Sequence, residues 1–296
     1  NSGTSSPTIV TEAPPRYPPS SVKQWLTCPE FWRLSKAWEP RAAGWTPHQS
    51  VGTAIHAGVA QHLRELAGMD QSCQESPVVV AQQVMAREYQ EQETWWLDGL
   101  QELVAKGVKR LIRLLEDDIL PSATIVAVEY PDPVQDPRLG TGRLHRVVDC
   151  ILARGDQLEI WDWKTKIRLD EAYLGETTRA VLHSWQLLDY SWHAGQWFNQ
   201  RVSTAAHGLV VLGPKLMAQA IPVQITAERL IQWYGQAKGI WATMWKDQQR
   251  EGALSMNFEV CSDRHLHFGK ECQFVPACHL LNGNEGRFSG VYQRKG

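Results

Sequence analysis

Long apolar runs are missing from this chain. No segment approaches the roughly 20 consecutive apolar residues that cross a bilayer, and the opening stretch NSGTSSPTIV lacks the hydrophobic centre of a secretory signal. These absences argue against membrane-spanning and secreted classes and set a cytoplasmic, intracellular location as the expectation, in a bacterial or phage-infected host among others. The first residue is Asn1 rather than Met, which leaves room for an upstream segment. An excess of charge is missing too: 30 Lys and Arg face 32 Asp and Glu, a net charge of -2. Bulk electrostatics therefore does not announce a nucleic-acid binder, and any such contact must come from a local patch. Cysteine is sparse, with six thiols at positions 28, 73, 150, 261, 272 and 278. Three disulfides would suit a small secreted domain. In a larger chain without a secretion signal, metal ligation or plain thiols are the better expectation.

What is present is ordinary globular material, 43% hydrophobic and 21% charged over 296 residues, enough for one large domain or one domain with an elaboration. Fourteen tryptophans are many for this length. Most are expected in the core or between helices, and an exposed one stacking on an unpaired base would contribute roughly 1 to 3 kcal/mol. Residues 1–19 are rich in Ser, Thr and Pro and read as a disordered leader. Residues 20–120 read as a helical region, with one helix from Ser20 or Ser21 toward Leu34, a second from Pro47 to Leu66 on the stripe Val51, Ile55, Val59 and Leu63, and one or two more from Val78 to Leu120. Lys106, Lys109, Arg110 and Arg113 read as a solvated face pairing with Glu116 and Asp117. Pro121 ends the run.

Residues 121–250 alternate strand and helix patterns. Thr124 to Tyr130 has strand composition. Leu144 to Leu152 and Leu158 to Lys164 are apolar, β-branched and aromatic, and Arg154-Gly155-Asp156-Gln157 between them supplies turn residues, so the pair reads as a hairpin. Thr178 to about Gly195 reads as a helix. His207 to Leu212 and Ala218 to Ile225 read as an edge hairpin, and Thr226 caps a helix toward Gln249. The fold class expected is α/β, a central mixed sheet flanked by helices.

Strand side chains alternate faces, so Asp162 and Lys164 share one side and Trp163 takes the other. If the hairpin sets Asp149 beside Asp162, two carboxylates and an ammonium converge. Their repulsion calls for a cation between the acids. Magnesium binds through one or two carboxylates and keeps several waters, leaving room for a phosphate oxygen and an attacking water that Lys164 would orient. A solvated strand edge with a chance Asp-x-Lys is the bland alternative.

These residues resemble the RecB-like branch of the PD-(D/E)XK nuclease superfamily. Asp149 matches the first acid, Asp162-Trp163-Lys164 the second acid and lysine, Gln186 and Tyr190 the downstream Gln-x-x-x-Tyr, and His56 in VGTAIH the histidine of an N-terminal helix. The family often has Gly three residues before the first acid, where this chain has Arg146. A second register sets His145 at the acid position. The resemblance implies a restriction-endonuclease-like core and Mg2+- or Mn2+-dependent hydrolysis of DNA, as an exonuclease on ends or single strands, in repair, recombination, phage or CRISPR-related processing. It implies Asp149, Asp162, Lys164, Gln186 and Tyr190 as catalytic, with His56 and the strand-end Glu129 completing the metal shell. A helicase, recombinase or integrase partner is compatible with it, and a membrane is not expected.

Residues 251–296 hold a second chemistry. Cys261, Cys272 and Cys278 lie close together in a segment with little regular pattern, and read as ligands awaiting a fourth. Members of the branch of the CRISPR-associated and AddB type carry a 4Fe-4S cluster held by one Cys before the core and three after it. The resemblance thus implies Cys28, Cys261, Cys272 and Cys278 as its ligands, with the final Cys-x5-Cys in place and a longer gap after Cys261. Such a cluster would staple the chain ends across the core. Zinc competes for the site, with His265, His267 or His279 as substitutes. Cys73 and Cys150 read as ordinary thiols. Two rivals remain from other classes: a catalytically inactive DNA-binding or scaffold protein of the same fold, and a zinc-stapled module that binds a partner.

Overall fold

The computed structural model describes residues 14–40, 47–69, 75–88, 97–133, 146–166, 171–213, 216–250, 252–256, 272–274, 278 and 292–294. The leader to residue 13, together with His145, Cys73, Cys261, His265, His267 and His279, lies outside them.

The single helix expected from Ser20 toward Leu34 is two, α1 (Pro19–Thr27) and α2 (Pro29–Ala37). Pro29 has no N–H and clashes with a continuing turn. Cys28 therefore goes extended, with φ -161° and ψ 112°, and restarts the helix as its N-cap, its sulfur accepting from Phe31 N–H at 3.5 Å. A short strand β1 (Trp38–Pro40) follows. Next comes α3 (Pro47–Leu66), with the bounds its apolar stripe predicts. The long run to Leu120 divides into α4 (Pro77–Glu88), α5 (Leu97–Leu114) and one π-helical turn at Leu115–Ile119. The basic face of α5 is paired differently from expectation. Lys106 meets Glu102 one turn earlier at 2.6 Å, and Glu116 meets His62 of α3 at 3.2 Å.

The hairpin forms from β3 (Val147–Arg154) and β4 (Gln157–Lys166), after β2 (Thr124–Pro131). Arg154 pairs with Gln157 around Gly155, whose φ of 65° is the left-handed conformation that glycine adopts without penalty. The helix expected from Thr178 is again two, α6 (Glu171–Leu182) and α7 (Trp185–Phe198). Ser184 separates them: it turns extended and caps α7 by accepting from Leu187 N–H at 3.3 Å. The edge hairpin is present and longer than expected, β5 (Arg201–Val211) and β6 (Met217–Gln224). Thr226 then accepts from Arg229 N–H at 3.2 Å at the start of α8 (Ala227–Gln248).

Strands β2 to β6 form one five-stranded sheet in sequence order. All neighbours are antiparallel except β4 and β5, which α6 and α7 connect in parallel, so the sheet is mixed. The sheet belongs to a compact unit of residues 44–135 and 145–233. Helices α3, α4 and α5 cover one face, where Ile55, Met85 and Leu111 pack with Trp161, Trp163 and Val210. Full burial of each aliphatic side chain there stabilises the fold by about 1.5–3 kcal/mol. The Trp163 ring lies across Gly208 on β5, where a Cβ would stand 2.6 Å from ring carbon Cζ3. Only glycine fits under that ring. The alternate residues of β4 face the other side, where α7 packs on β4 and β5.

The second unit comprises residues 1–43, 136–144 and 234–296. Within it β1 pairs antiparallel with β7 (Tyr292–Arg294). Leu34, Trp38, Cys272 and Phe274 form a small buried cluster, with Phe31 and Cys278 packed against it. Glu30, 1% exposed, joins Arg33 at 2.7 Å and accepts from Leu254 N–H at 2.8 Å. Among the described residues, no helix is long and apolar enough to cross a membrane.

Candidate active site

The hairpin register brings the two acids together. Cys150 pairs with Trp161, and one step further the same register sets Asp149 opposite Asp162. Asp149 Oδ2 accepts from Trp163 N–H at 2.7 Å and lies 3.5 Å from His56 Nδ1 of α3. Asp162 is 2% exposed, and every neighbour of its carboxylate comes from a different part of the fold. Lys164 Nζ, two residues along β4, approaches Oδ2 to 2.6 Å, and His207 Nδ1 of β5 approaches the same oxygen to 2.7 Å. Gln186 Nε2 of α7 donates to Oδ1 at 2.9 Å.

Gln186 links the rest. Its Oε1 accepts from Lys164 Nζ at 3.0 Å, and its Nε2 also meets Tyr190 OH at 2.9 Å, one turn on along the same helix face. The sequence-predicted His56 and Asp149 thus stand together, as do Asp162, Lys164, Gln186 and Tyr190, and the hairpin register with the Trp163 N–H sets the two groups side by side.

Electrostatics splits the two acids. Burial, then the Asp162 charge, raises the Asp149 carboxyl well above the ordinary carboxylate range, and the Trp163 N–H only partly offsets this. Burial also pushes Asp162 up, but Lys164 and His207 outweigh it and hold this carboxyl below its usual value. Neighbouring groups driven in opposite directions are a hallmark of acid–base sites. Burial lowers the His56 imidazole against the pull of Asp162, favouring the neutral ring that can act as a ligand. Tyr190 is raised, mainly by burial and then by Asp162, and stays a neutral hydroxyl.

Glu129 sits differently from the rest. Its φ of 45° is left-handed, unusual for a non-glycine residue and worth about 1–3 kcal/mol of strain. Its carboxylate meets Arg64 Nη2 of α3 at 2.6 Å rather than the two aspartates, although its charge still raises both Asp149 and His56.

Arg146, the departure three residues before Asp149, is buried in an ion network. It donates to Asp189 Oδ2 at 2.6 Å and to Asp132 Oδ2 at 2.9 Å, and these three side chains are 5%, 0% and 8% exposed. Asp189 lies on α7 between Gln186 and Tyr190, so the network ties that helix to the start of β3.

His207 is the site residue that sequence reasoning missed. It lies in a strand expected only as an edge hairpin, and its neighbour Asp162 is set by the parallel register of β4 with β5. A histidine within an otherwise apolar strand was the available signal.

Among the described residues, no three His, Cys, Asp or Glu side chains already form a metal cage. The donor chemistry nevertheless fits a hard divalent cation. Two carboxylates face each other with repulsion that Asp149 meets by favouring its proton, and buried Asp162 Oδ2 has the Lys164 amine and the His207 ring close by but no aligned hydrogen bond. In the other unit, Cys272 and Cys278 join the cluster around Phe274, and Cys28 caps α2 beside Phe31. Cys150 is fully buried behind the sheet, and burial, first of all, raises its thiol.

A family model described as the PD-(D/E)XK nuclease superfamily matches residues 16–279. No curated protein matches the chain. Among solved structures it is similar to the crystal structure of a "Putative exonuclease" from Eubacterium rectale, at 11% identity and a TM-score of 0.49, covering 84% of this chain and 88% of that one.

Proposed function

The chain belongs to the PD-(D/E)XK nuclease superfamily, and from that premise we propose that it is a divalent-metal-dependent deoxyribonuclease, an exonuclease of the RecB-like branch acting on DNA ends or single strands. The observation that carries this reading is the convergence of Asp149, which accepts from Trp163 N–H, with Asp162 and Lys164, which Gln186 bridges. Asp149 and Asp162 would hold Mg2+ or Mn2+, with His56 beside Asp149 and Glu129 within electrostatic reach. Bound there, the ion supplies Lewis-acid polarisation of a phosphoryl oxygen and makes a coordinated water more acidic. Lys164, 37% exposed, is free to turn toward that water and the phosphate. Gln186 holds the Lys164 amine and the Asp162 carboxylate in one geometry and donates to the Tyr190 hydroxyl, and Gln186 and Tyr190 together would position the DNA.

The test is cleavage of end-labelled single-stranded and duplex DNA with Mn2+ or Mg2+, beside Asp162→Ala. Stepwise loss of terminal nucleotides by the intact protein alone is expected. Metal-dependent cleavage by neither protein would favour the inactive DNA-binding rival, and internal cuts would replace the exonuclease assignment with an endonuclease.

A 4Fe-4S cluster on Cys28, Cys261, Cys272 and Cys278 belongs to the same proposal. What supports it is the position of Cys272 and Cys278 in one small apolar cluster, where Phe31 touches the cluster and also donates to the Cys28 sulfur. Anaerobically purified protein is then brown, with about four irons per chain, and Cys272→Ser loses the colour. A colourless protein containing zinc would transfer the site to the zinc reading. Action beside a helicase, recombinase or integrase, in repair, recombination or CRISPR-related processing, completes the proposal.

A further inference from the structure

We propose that His207 is a positioning residue for Asp162, holding its carboxylate in orientation when Lys164 turns away to the attacking water. The inference rests on the metal-dependent reading above. Asp162 Oδ2 has two nitrogen neighbours of different character, the Lys164 amine and the His207 imidazole. Lys164 is 37% exposed, and its amine is shared with Gln186 Oε1 at 3.0 Å, so it can exchange partners. His207 has an 11% exposed side chain and a backbone fixed on both sides, paired with Asp162 on β4 and with Ile221 on β6. Its Nδ1 lies 2.7 Å from Oδ2, a close approach without hydrogen-bond alignment, from a strand other than the one that carries Lys164.

Without His207, departure of the lysine would leave Asp162, among its described side-chain partners, with the neutral Gln186 amide at Oδ1. A buried carboxylate so weakly held is free to rotate. Groups that orient a ligating side chain are typically worth about 10–100-fold in metal affinity or activity.

Mn2+ binding by titration calorimetry, without DNA, reads this directly on the full chain. The comparison is wild type, Asp162→Ala, His207→Gln, which keeps an N–H donor, and His207→Leu, which fills the space without one. Circular dichroism establishes folding, and His207→Ala replaces the Leu variant should that fail to fold. The expected result is Mn2+ affinity about 10-fold or more weaker in the donor-less variant and largely restored in His207→Gln, with kcat following affinity and KM for DNA unchanged. Wild-type affinity in the donor-less variant, or equal weakening in the Gln and Leu variants, overturns the role of His207 while leaving the metal reading intact. Mn2+ binding that is absent from wild type, or unaffected by Asp162→Ala, overturns the metal reading itself and this inference with it.

Discussion

Arg146→Met is the most informative change outside the constellation, because it removes a cation that, among the described residues, reaches both buried aspartates Asp132 and Asp189. The guanidinium lies 2.6 Å from Asp189 and 2.9 Å from Asp132, in a site where no member is more than 8% exposed. Burial works against the charged guanidinium, yet Asp189 first and Asp132 next more than compensate and raise its pKa. Removing one partner of a buried ion pair costs about 3–5 kcal/mol, since the other loses its guanidinium while it stays out of water. At about 2–4 °C per kcal/mol for a protein of this class, melting should fall by on the order of 10 °C. Methionine keeps much of the volume, so the loss reports charge rather than a cavity. Replacing all three side chains together tests this, because exchanging a buried ion group for neutral residues is often close to neutral. Arg146→Met combined with Asp132→Asn and Asp189→Asn should therefore recover most of the melting temperature. Thermal denaturation followed by circular dichroism at neutral pH measures all three proteins. Melting of Arg146→Met within a degree or two of wild type would refute the reasoning, as would a triple variant less stable than the single one.

Asp149→Asn keeps an acceptor for Trp163 N–H while removing repulsion with Asp162, so without metal it should melt a few degrees higher, about 1–2 kcal/mol, and cleave no DNA; both are read by melting and end-label assay. Gly208→Ala drives a Cβ into the Trp163 ring and should cost about 1–3 kcal/mol, measured by urea denaturation. Ser184→Ala removes the acceptor for Leu187 N–H and should cost about 0.5–2 kcal/mol, with reduced activity because α7 carries Gln186. Burial lowers Lys36 to about 8. The native state therefore binds fewer protons than the unfolded chain between that value and the ordinary lysine range, and stability should rise with pH across this window. The Trp32 ring, 3.8 Å below the amine, favours the charged form and trims the gain to about 1–2 kcal/mol. Urea midpoints at pH 8 and pH 10 should separate for wild type and coincide for Lys36→Met, apart from changes common to both.

Much of the site was legible because its signals are local. The β3–β4 hairpin announces itself through Gly155 between two β-branched runs, and alternation along β4 puts Asp162 and Lys164 on one side. Gln186 and Tyr190 are neighbours by helical spacing alone. Two helix breaks were misjudged where a continuous apolar pattern outweighed a local stop. Pro29 cuts the first, and Ser184 restarts the second by capping. His207 escaped notice because parallel pairing of β4 with β5 crosses two intervening helices, and no local pattern fixes that register. Arg146 stood out only as a departure from the family. Its explanation is Asp189, 43 residues on, an acid among apolar residues of α7 that only the assembled sheet brings close. Glu129 was legible as a strand-end acid, but its left-handed backbone and its pairing with Arg64 were not.

Every catalytic role proposed above depends on Asp149 and Asp162 sharing one divalent ion. Crystals soaked in Mn2+ and measured at the manganese absorption edge test it most directly. An anomalous peak is expected within coordination distance of carboxylate oxygens from both aspartates in wild type, lost in Asp162→Ala. A peak held by one aspartate alone, or a site that stays empty while DNA cleavage proceeds, would contradict it.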